Sequence, residues 1–195
     1  MRVEFTNWGR LLFKVKIPKP ELEKIKLLCQ KKNELDFSED LAGNLDHEYG
    51  IDPNKYSFII QDYIKAFVDC YEEFYGVKPS TFKCVSAWVN YMQKGDFNPP
   101  HVHANCSYSS VLYLSVPEIL REENIKYKGT VKGGGSGSIS FINGEMIKDS
   151  NSIKTVFPEE GDFFMFPAGL LHFVWPFKSD CERISVAANF ENHKS

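Results

Sequence analysis

Two histidines one residue apart, His101 and His103, follow the run Asn98-Pro99-Pro100. On an extended chain, residues i and i+2 project to the same face. The two imidazoles therefore point together, as a pair of nitrogen donors for a metal ion. Alone, such a pair is as well explained by two surface histidines. A third, His172, lies within Phe166-Pro167-Ala168-Gly169-Leu170-Leu171-His172-Phe173-Val174-Trp175, where it is either a satisfied core histidine or a third donor. His47, in a polar stretch, and His193, near the C-terminus, have no such surroundings and read as solvated. Beyond His172, Arg183 and Ser185 share one face of an otherwise apolar strand, Arg183-Ile184-Ser185-Val186-Ala187-Ala188-Asn189-Phe190. A guanidinium buried there needs an anion, because an unpaired internal charge is costly. The anion is either a buried Asp or Glu, or the carboxylate of a small dicarboxylic ligand gripped by the planar fork.

Elements that position these residues are visible along the chain. Phe13, Val15 and Ile17 alternate with lysines and predict a half-buried strand, stopped by Pro18 and Pro20. Residues 21–33 predict a short amphipathic helix and 35–50 a loop. Asp52 is a natural N-cap with Pro53 at the first helical position. Ile60, Ile64, Phe67, Tyr71 and Phe74 then recur at helical steps, and Gly76 and Pro79 end the pattern. This stripe predicts a helix packed on a sheet. From Phe82 onward the texture is of short strands, over 84–92, 109–116, 138–143, 152–156, 162–166 and 183–190, with turns at Gly95-Asp96, Asn143-Gly144, Glu160-Gly161 and Ala168-Gly169. The run Gly133-Gly134-Gly135-Ser136-Gly137 is a flexible loop and a candidate lid. Helices and strands first, then strands alone, predict a mainly β fold in which helices support one face of an antiparallel jelly roll.

Composition bounds the rest. A chain of 195 residues suits a single domain, and 43% hydrophobic residues supply a core large enough to offset ordering entropy. The net charge of -3, with no Lys/Arg block, argues against nucleic acid as a partner. Five cysteines, Cys29, Cys70, Cys84, Cys106 and Cys181, with no Cys-x-x-Cys, predict neither a disulfide framework nor a structural zinc site and fit a reducing compartment. Met1-Arg2-Val3-Glu4 leads into no apolar signal segment, and no apolar run is long enough to span a bilayer. A cytoplasmic protein without a membrane partner is expected.

With these residues in place, the stretch from about Val85 to Phe190 resembles the Fe(II)/2-oxoglutarate-dependent oxygenases, most of all a prolyl-hydroxylase-like branch with a His-x-His motif. The resemblance implies a double-stranded β-helix (jelly roll, cupin-like) core over 81–191, with 1–80 as helix-containing support. It implies Fe(II) held by His101, His103 and His172, with 2-oxoglutarate as co-substrate. Arg183, assisted by Ser185 in an Arg-x-Ser pattern, falls where the family binds the far carboxylate of 2-oxoglutarate. Tyr113 and Tyr91 resemble co-substrate-facing tyrosines. The implied partners are dioxygen and a small-molecule or peptide substrate. The implied reaction hydroxylates an amino-acid or peptidyl side chain and releases succinate and CO2.

One departure stands out. The usual acid of the ligand triad is His103 here, which removes one negative charge from the site and alters iron affinity and potential. Asp96 is a substitute carboxylate by type but precedes the strand. Two other readings stay open. Gly95 followed by His-x-His, and Gly161 followed by Pro167-x-Gly169 and His172, resemble the two cupin motifs, although the expected Glu after the histidine pair is missing and Pro176 stands where Asn is expected. That reading is a three-histidine dioxygenase or isomerase without 2-oxoglutarate. The third is a non-catalytic jelly-roll module with structural or zinc-binding histidines.

Overall fold

The computed structural model describes residues 3–7, 9–29, 45, 47–79, 81–128, 135–145 and 152–193. Eleven strands and four helices occupy them: β1 (Val3–Asn7), β2 (Leu11–Lys16), α1 (Lys19–Cys29), β3 (Glu48–Gly50), α2 (Pro53–Ile59), α3 (Gln61–Tyr75), β4 (Thr81–Met92), β5 (Asn98–His101), β6 (Tyr108–Ser115), α4 (Glu118–Tyr127), β7 (Ile139–Ile142), β8 (Ile153–Val156), β9 (Asp162–Pro167), β10 (Leu171–Val174) and β11 (Arg183–His193). The strands form two antiparallel sheets. The larger has the order β1-β2-β9-β6-β11-β4-β3 and the smaller β5-β10-β7-β8. This is the jelly roll the strand pattern predicts.

Strand alternation divides the apolar residues into two cores. On the outer face of the large sheet, Phe13, Val89, Leu112, Phe163 and Val186 meet Ile25, Tyr56 and Phe67 of the helices. On the inner face, Leu12, Met92, Tyr113, Phe164 and Phe166 meet Ile139, Phe141 and Val174 of the small sheet. Strand β9 shows why a sheet covered on both faces reads as continuous apolar sequence: Phe163 and Met165 face the helices while Phe164 and Phe166 face the interior.

The helix signals act largely as expected. Asp52 accepts hydrogen bonds from the Asn54 and Lys55 backbone N–H groups, at 2.9 and 3.2 Å, and Gly76 ends α3 in the left-handed region at φ 70°. The predicted continuous helix breaks at Ile60, whose ψ of 13° separates α2 from α3. Phe67 is fully buried and packs edge-on to Phe13 at 5.6 Å. Phe67→Ala should lower stability to unfolding in urea by about 3–5 kcal/mol, while metal affinity of the folded protein stays unchanged, because the ring lies on the outer face of the large sheet.

Two sequence expectations are corrected. The C-terminal half is not strand-only, since α4 interrupts it, anchored by one fully buried apolar residue, Leu120. Too little of α4 is apolar for its period to show. Residues 48–50, within the expected loop, pair with β4 as the edge strand β3. Of the Gly-rich run, residues 133 and 134 lie outside the described residues. In the described part, a Cβ on Gly135 would meet the Trp175 ring at 2.5 Å, and Gly137, at φ 67°, lies against Leu120. All five cysteines are free thiols in the structure.

Candidate active site

Strands β5 and β10 pair so that His101 sits directly across from His172. The chain leaves β5 and places His103 beside them, its backbone N–H donating to the Ala168 carbonyl at 3.0 Å. One ring nitrogen from each of the three histidines lies within 4.8 Å of the others. His101 Nδ1 is 2.8 Å from the Pro99 carbonyl and His172 Nδ1 is 2.8 Å from the Leu170 carbonyl. A carbonyl only accepts, so both rings carry their proton on Nδ1 and leave the Nε2 lone pair free. His172 Nε2 faces His103 Nε2 at 3.3 Å. That gap calls for a proton or a cation, and a cation satisfies all three nitrogens together.

Electrostatics keep these rings neutral at neutral pH. Burial, followed by repulsion from His101, pulls His103 down to about 4. Burial, then His101, pulls His172 down to about 3, and burial lowers His101 below the usual 6.5. A neutral imidazole is the form that binds metal. The folded chain therefore binds fewer protons than the unfolded chain as pH falls below 6.5, so stability is fully present above that pH and lost below it. Chelator-treated protein should show a falling urea midpoint from about pH 7 to about pH 4.5, and His172→Gln, which removes one titrating group, should make that decline shallower.

Between the sheets lies a cavity of about 310 Å³ that reaches from the histidines to Arg183. Its mouth is at Val102 and Ala104, which are exposed. Its inner end is polar and buried: Arg183 and Ser185 are 2% exposed and Tyr113 is fully buried. Register explains the grouping. Ser185 pairs with Tyr113 on one side and Asn90 on the other, and Asn90 pairs with Glu48. Four side chains thus form a row across β6, β11, β4 and β3 on the cavity face. Arg183 donates to the Gly137 carbonyl at 2.9 Å, and its guanidinium lies 5.2 Å from the centre of the Tyr113 ring. Among the described residues no carboxylate pairs with it, and its Nε has no hydrogen-bond partner. Burial pulls the Arg183 pKa down, which records the cost of this unneutralised charge. Burial pushes the Tyr113 phenol up to about 12, against the pull of Arg183. Its hydroxyl stays protonated and is likewise unpartnered among the described residues. A buried cation and a buried donor, both unsatisfied at the end of one cavity, fit an anionic ligand.

Tyr91 does not belong to this group. It lies on the outer face of the large sheet in the helix-side core, and its hydroxyl donates to the Cys29 carbonyl at 2.9 Å. Counting back from His101 crosses the turn at Gly95 and so loses strand parity. The cavity-facing neighbour is Asn90, 5% exposed, whose Oδ1 is buried and unpartnered among the described residues. The missed signal was a polar residue inside the apolar run Ala87-Trp88-Val89-Asn90-Tyr91-Met92. Asn98 and Trp88 also line the cavity and were not expected. Asp96 is no substitute ligand, because its carboxylate accepts from the Gln93 N–H at 2.8 Å within a turn. Of the aromatic residues near His172, Phe166 packs against its ring at 4.7 Å. Phe173 points to the opposite face of β10, and Trp175 donates to Ser140 Oγ outside the cavity.

Three histidines and an arginine without a carboxylate partner among the described residues thus share one cavity between the two sheets of a jelly roll. A family model described as "Putative 2OG-Fe(II) oxygenase" matches residues 86–189, more than half of the chain. The chain belongs to this family, whose members depend on Fe(II) and 2-oxoglutarate. Solved structures agree on the fold. A viral collagen prolyl hydroxylase from Paramecium Bursaria Chlorella virus-1, in its 2OG complex, aligns over 92% of this chain and 94% of its own, with a TM-score of 0.59 and 15% identity. A prolyl-4-hydroxylase from Pseudomonas putida aligns over 93% and 92%, with a TM-score of 0.58 and 17% identity. The alpha-ketoglutarate-dependent epimerase SnoN of nogalamycin biosynthesis aligns over 92% and 78%, with a TM-score of 0.59 and 14% identity. No curated protein matches the sequence. No helix among the described residues is long and apolar enough to cross a membrane.

Proposed function

We propose that this oxygenase hydroxylates an amino-acid or peptidyl side chain, with His101, His103 and His172 holding Fe(II) and Arg183, Ser185 and Tyr113 holding the far carboxylate of 2-oxoglutarate. The observation that carries the reading is Arg183, a buried guanidinium without a carboxylate partner among the described residues, in the same cavity as the three histidines. The three-histidine alternative without 2-oxoglutarate gives that charge no task.

Each side chain then has a part. The carbonyls of Pro99 and Leu170 hold His101 and His172 with their Nε2 lone pairs inward. Fe(II), when bound there, supplies the activation of dioxygen and the oxidative decarboxylation of 2-oxoglutarate. Arg183 offers a forked, charge-assisted contact to the carboxylate, and the Tyr113 hydroxyl donates beside it. Ser185, beside Tyr113 in the strand register, adds its hydroxyl to the same carboxylate, and Asn90 on its other side lines the cavity. The overall reaction places one atom of dioxygen in succinate and the other in the hydroxylated product, with CO2 released. Prolyl hydroxylases among the structural neighbours favour a peptidyl or amino-acid substrate.

The test is succinate formation by the Fe(II)-loaded protein under air with 2-oxoglutarate and a panel of peptides and free amino acids. The reading expects succinate matched by a substrate gaining one oxygen atom. Substrate turnover that proceeds without 2-oxoglutarate would move the assignment to the alternative.

A further inference from the structure

The main chain behind Arg183 is braced from α4. Asn124 Nδ2 donates to the Ser136 carbonyl at 2.9 Å and to Ser138 Oγ at 3.0 Å, on either side of Gly137. Ser138 N–H closes the turn onto the Gly135 carbonyl at 2.7 Å. A Cβ on Gly137 would stand 2.6 Å from Leu120, one helical turn before Asn124, so helix and turn are in close contact. The residue before Asn124 in α4, Glu123, accepts hydrogen bonds from the backbone of Lys178 and Ser179, at 3.0 and 2.7 Å, and from Ser179 Oγ at 2.6 Å. This holds α4 to the chain that leads into Arg183. Among the described residues, the guanidinium's hydrogen bond to this framework is to the Gly137 carbonyl, at the centre of the braced turn.

We propose that Asn124 is a positioning residue for the co-substrate: by clamping the Ser136–Ser138 turn it sets how deep the Arg183 guanidinium sits, and so sets the chain length of the oxo diacid the cavity accepts. The inference rests on the assignment of Arg183 to a co-substrate carboxylate. A guanidinium held from behind by a fixed carbonyl cannot retreat for a longer diacid or advance for a shorter one. Bidentate contact is sensitive to such shifts. Released from Gly137, the same side chain can follow carboxylates at several depths.

The experiment compares three oxo diacids, oxaloacetate, 2-oxoglutarate and 2-oxoadipate, by anaerobic calorimetry on the Fe(II)-loaded protein. Wild type is expected to bind 2-oxoglutarate most tightly. Asn124→Asp keeps the shape but removes the donors. It is expected to weaken 2-oxoglutarate about tenfold, the loss of roughly one well-placed hydrogen bond's worth of positioning, and to narrow the preference over 2-oxoadipate, with Fe(II) affinity unchanged. Ser138→Ala, which removes one acceptor and little volume, is expected to shift the preference in the same direction by less, and serves if the Asn124 variant does not fold. Unchanged length preference in the variants, or equal weakening of all three diacids together with Fe(II), overturns the proposal. If wild type binds none of the diacids, the co-substrate assignment itself fails, and this inference falls with it.

Discussion

Arg183→Ala should raise the 2-oxoglutarate concentration needed for half-saturation by roughly 30- to 1000-fold, about 2–4 kcal/mol, the usual cost of truncating one partner of a buried charged pair. Fe(II) affinity should stay near wild type, because the guanidinium lies at the far end of the cavity from the histidines. Arg183→Lys should fall between, since it keeps the charge and loses the fork. Stability provides an independent check. Breaking a structural buried ion pair costs about 3–5 kcal/mol because the partner's charge is left behind. Here no described carboxylate is left behind. The urea midpoint of the ligand-free Arg183→Ala protein should therefore fall much less than that figure, or rise. A large loss of stability with unchanged 2-oxoglutarate dependence would make Arg183 structural.

His172→Ala should reduce Fe(II) affinity by more than about 100-fold, beyond what loss of a supporting outer partner costs. His172 is the most buried of the three, at 4% exposure, and its Nδ1 is committed to Leu170. His103 separates the possibilities more finely. His103→Ala should weaken Fe(II), whereas His103→Asp should retain or strengthen it, because a carboxylate adds charge attraction and is smaller than the ring it replaces. Turnover need not follow affinity in the Asp variant, since the added charge shifts the potential of the metal. Fe(II) titrations under argon of wild type, Ala and Asp decide. Three equal affinities would place His103 outside the metal's ligands.

Much of this site was legible because it rests on short periods. The Arg183/Ser185 spacing follows the two-residue repeat of β11, whereas His103 lies just past the end of β5 and joins His101 through the turn that follows it. Asp52, Pro53 and Gly76 likewise carry their structural meaning locally. What failed crossed a turn or depended on pairing. Tyr91 lies across the Gly95 turn from His101, so its place relative to the histidines could not be read from strand parity. Asn90 and Glu48 enter the site only because β4 pairs with β11 and β3 with β4, a register no local pattern encodes. Helix α4 was missed because its apolar stripe is narrow and its main contacts are polar, through Glu123 and Asn124. Its link to Arg183 through Gly137 is a tertiary contact between residues 46 positions apart.

The most direct test of the central claim is an anaerobic titration in two steps, Fe(II) first and then 2-oxoglutarate, followed by visible absorption. The site described here predicts no visible band from Fe(II) alone and a metal-to-ligand charge-transfer band that grows to one equivalent of 2-oxoglutarate, is lost in His172→Ala, and requires much higher 2-oxoglutarate in Arg183→Ala. A protein that binds one Fe(II) yet develops no such band at any 2-oxoglutarate concentration would contradict the account.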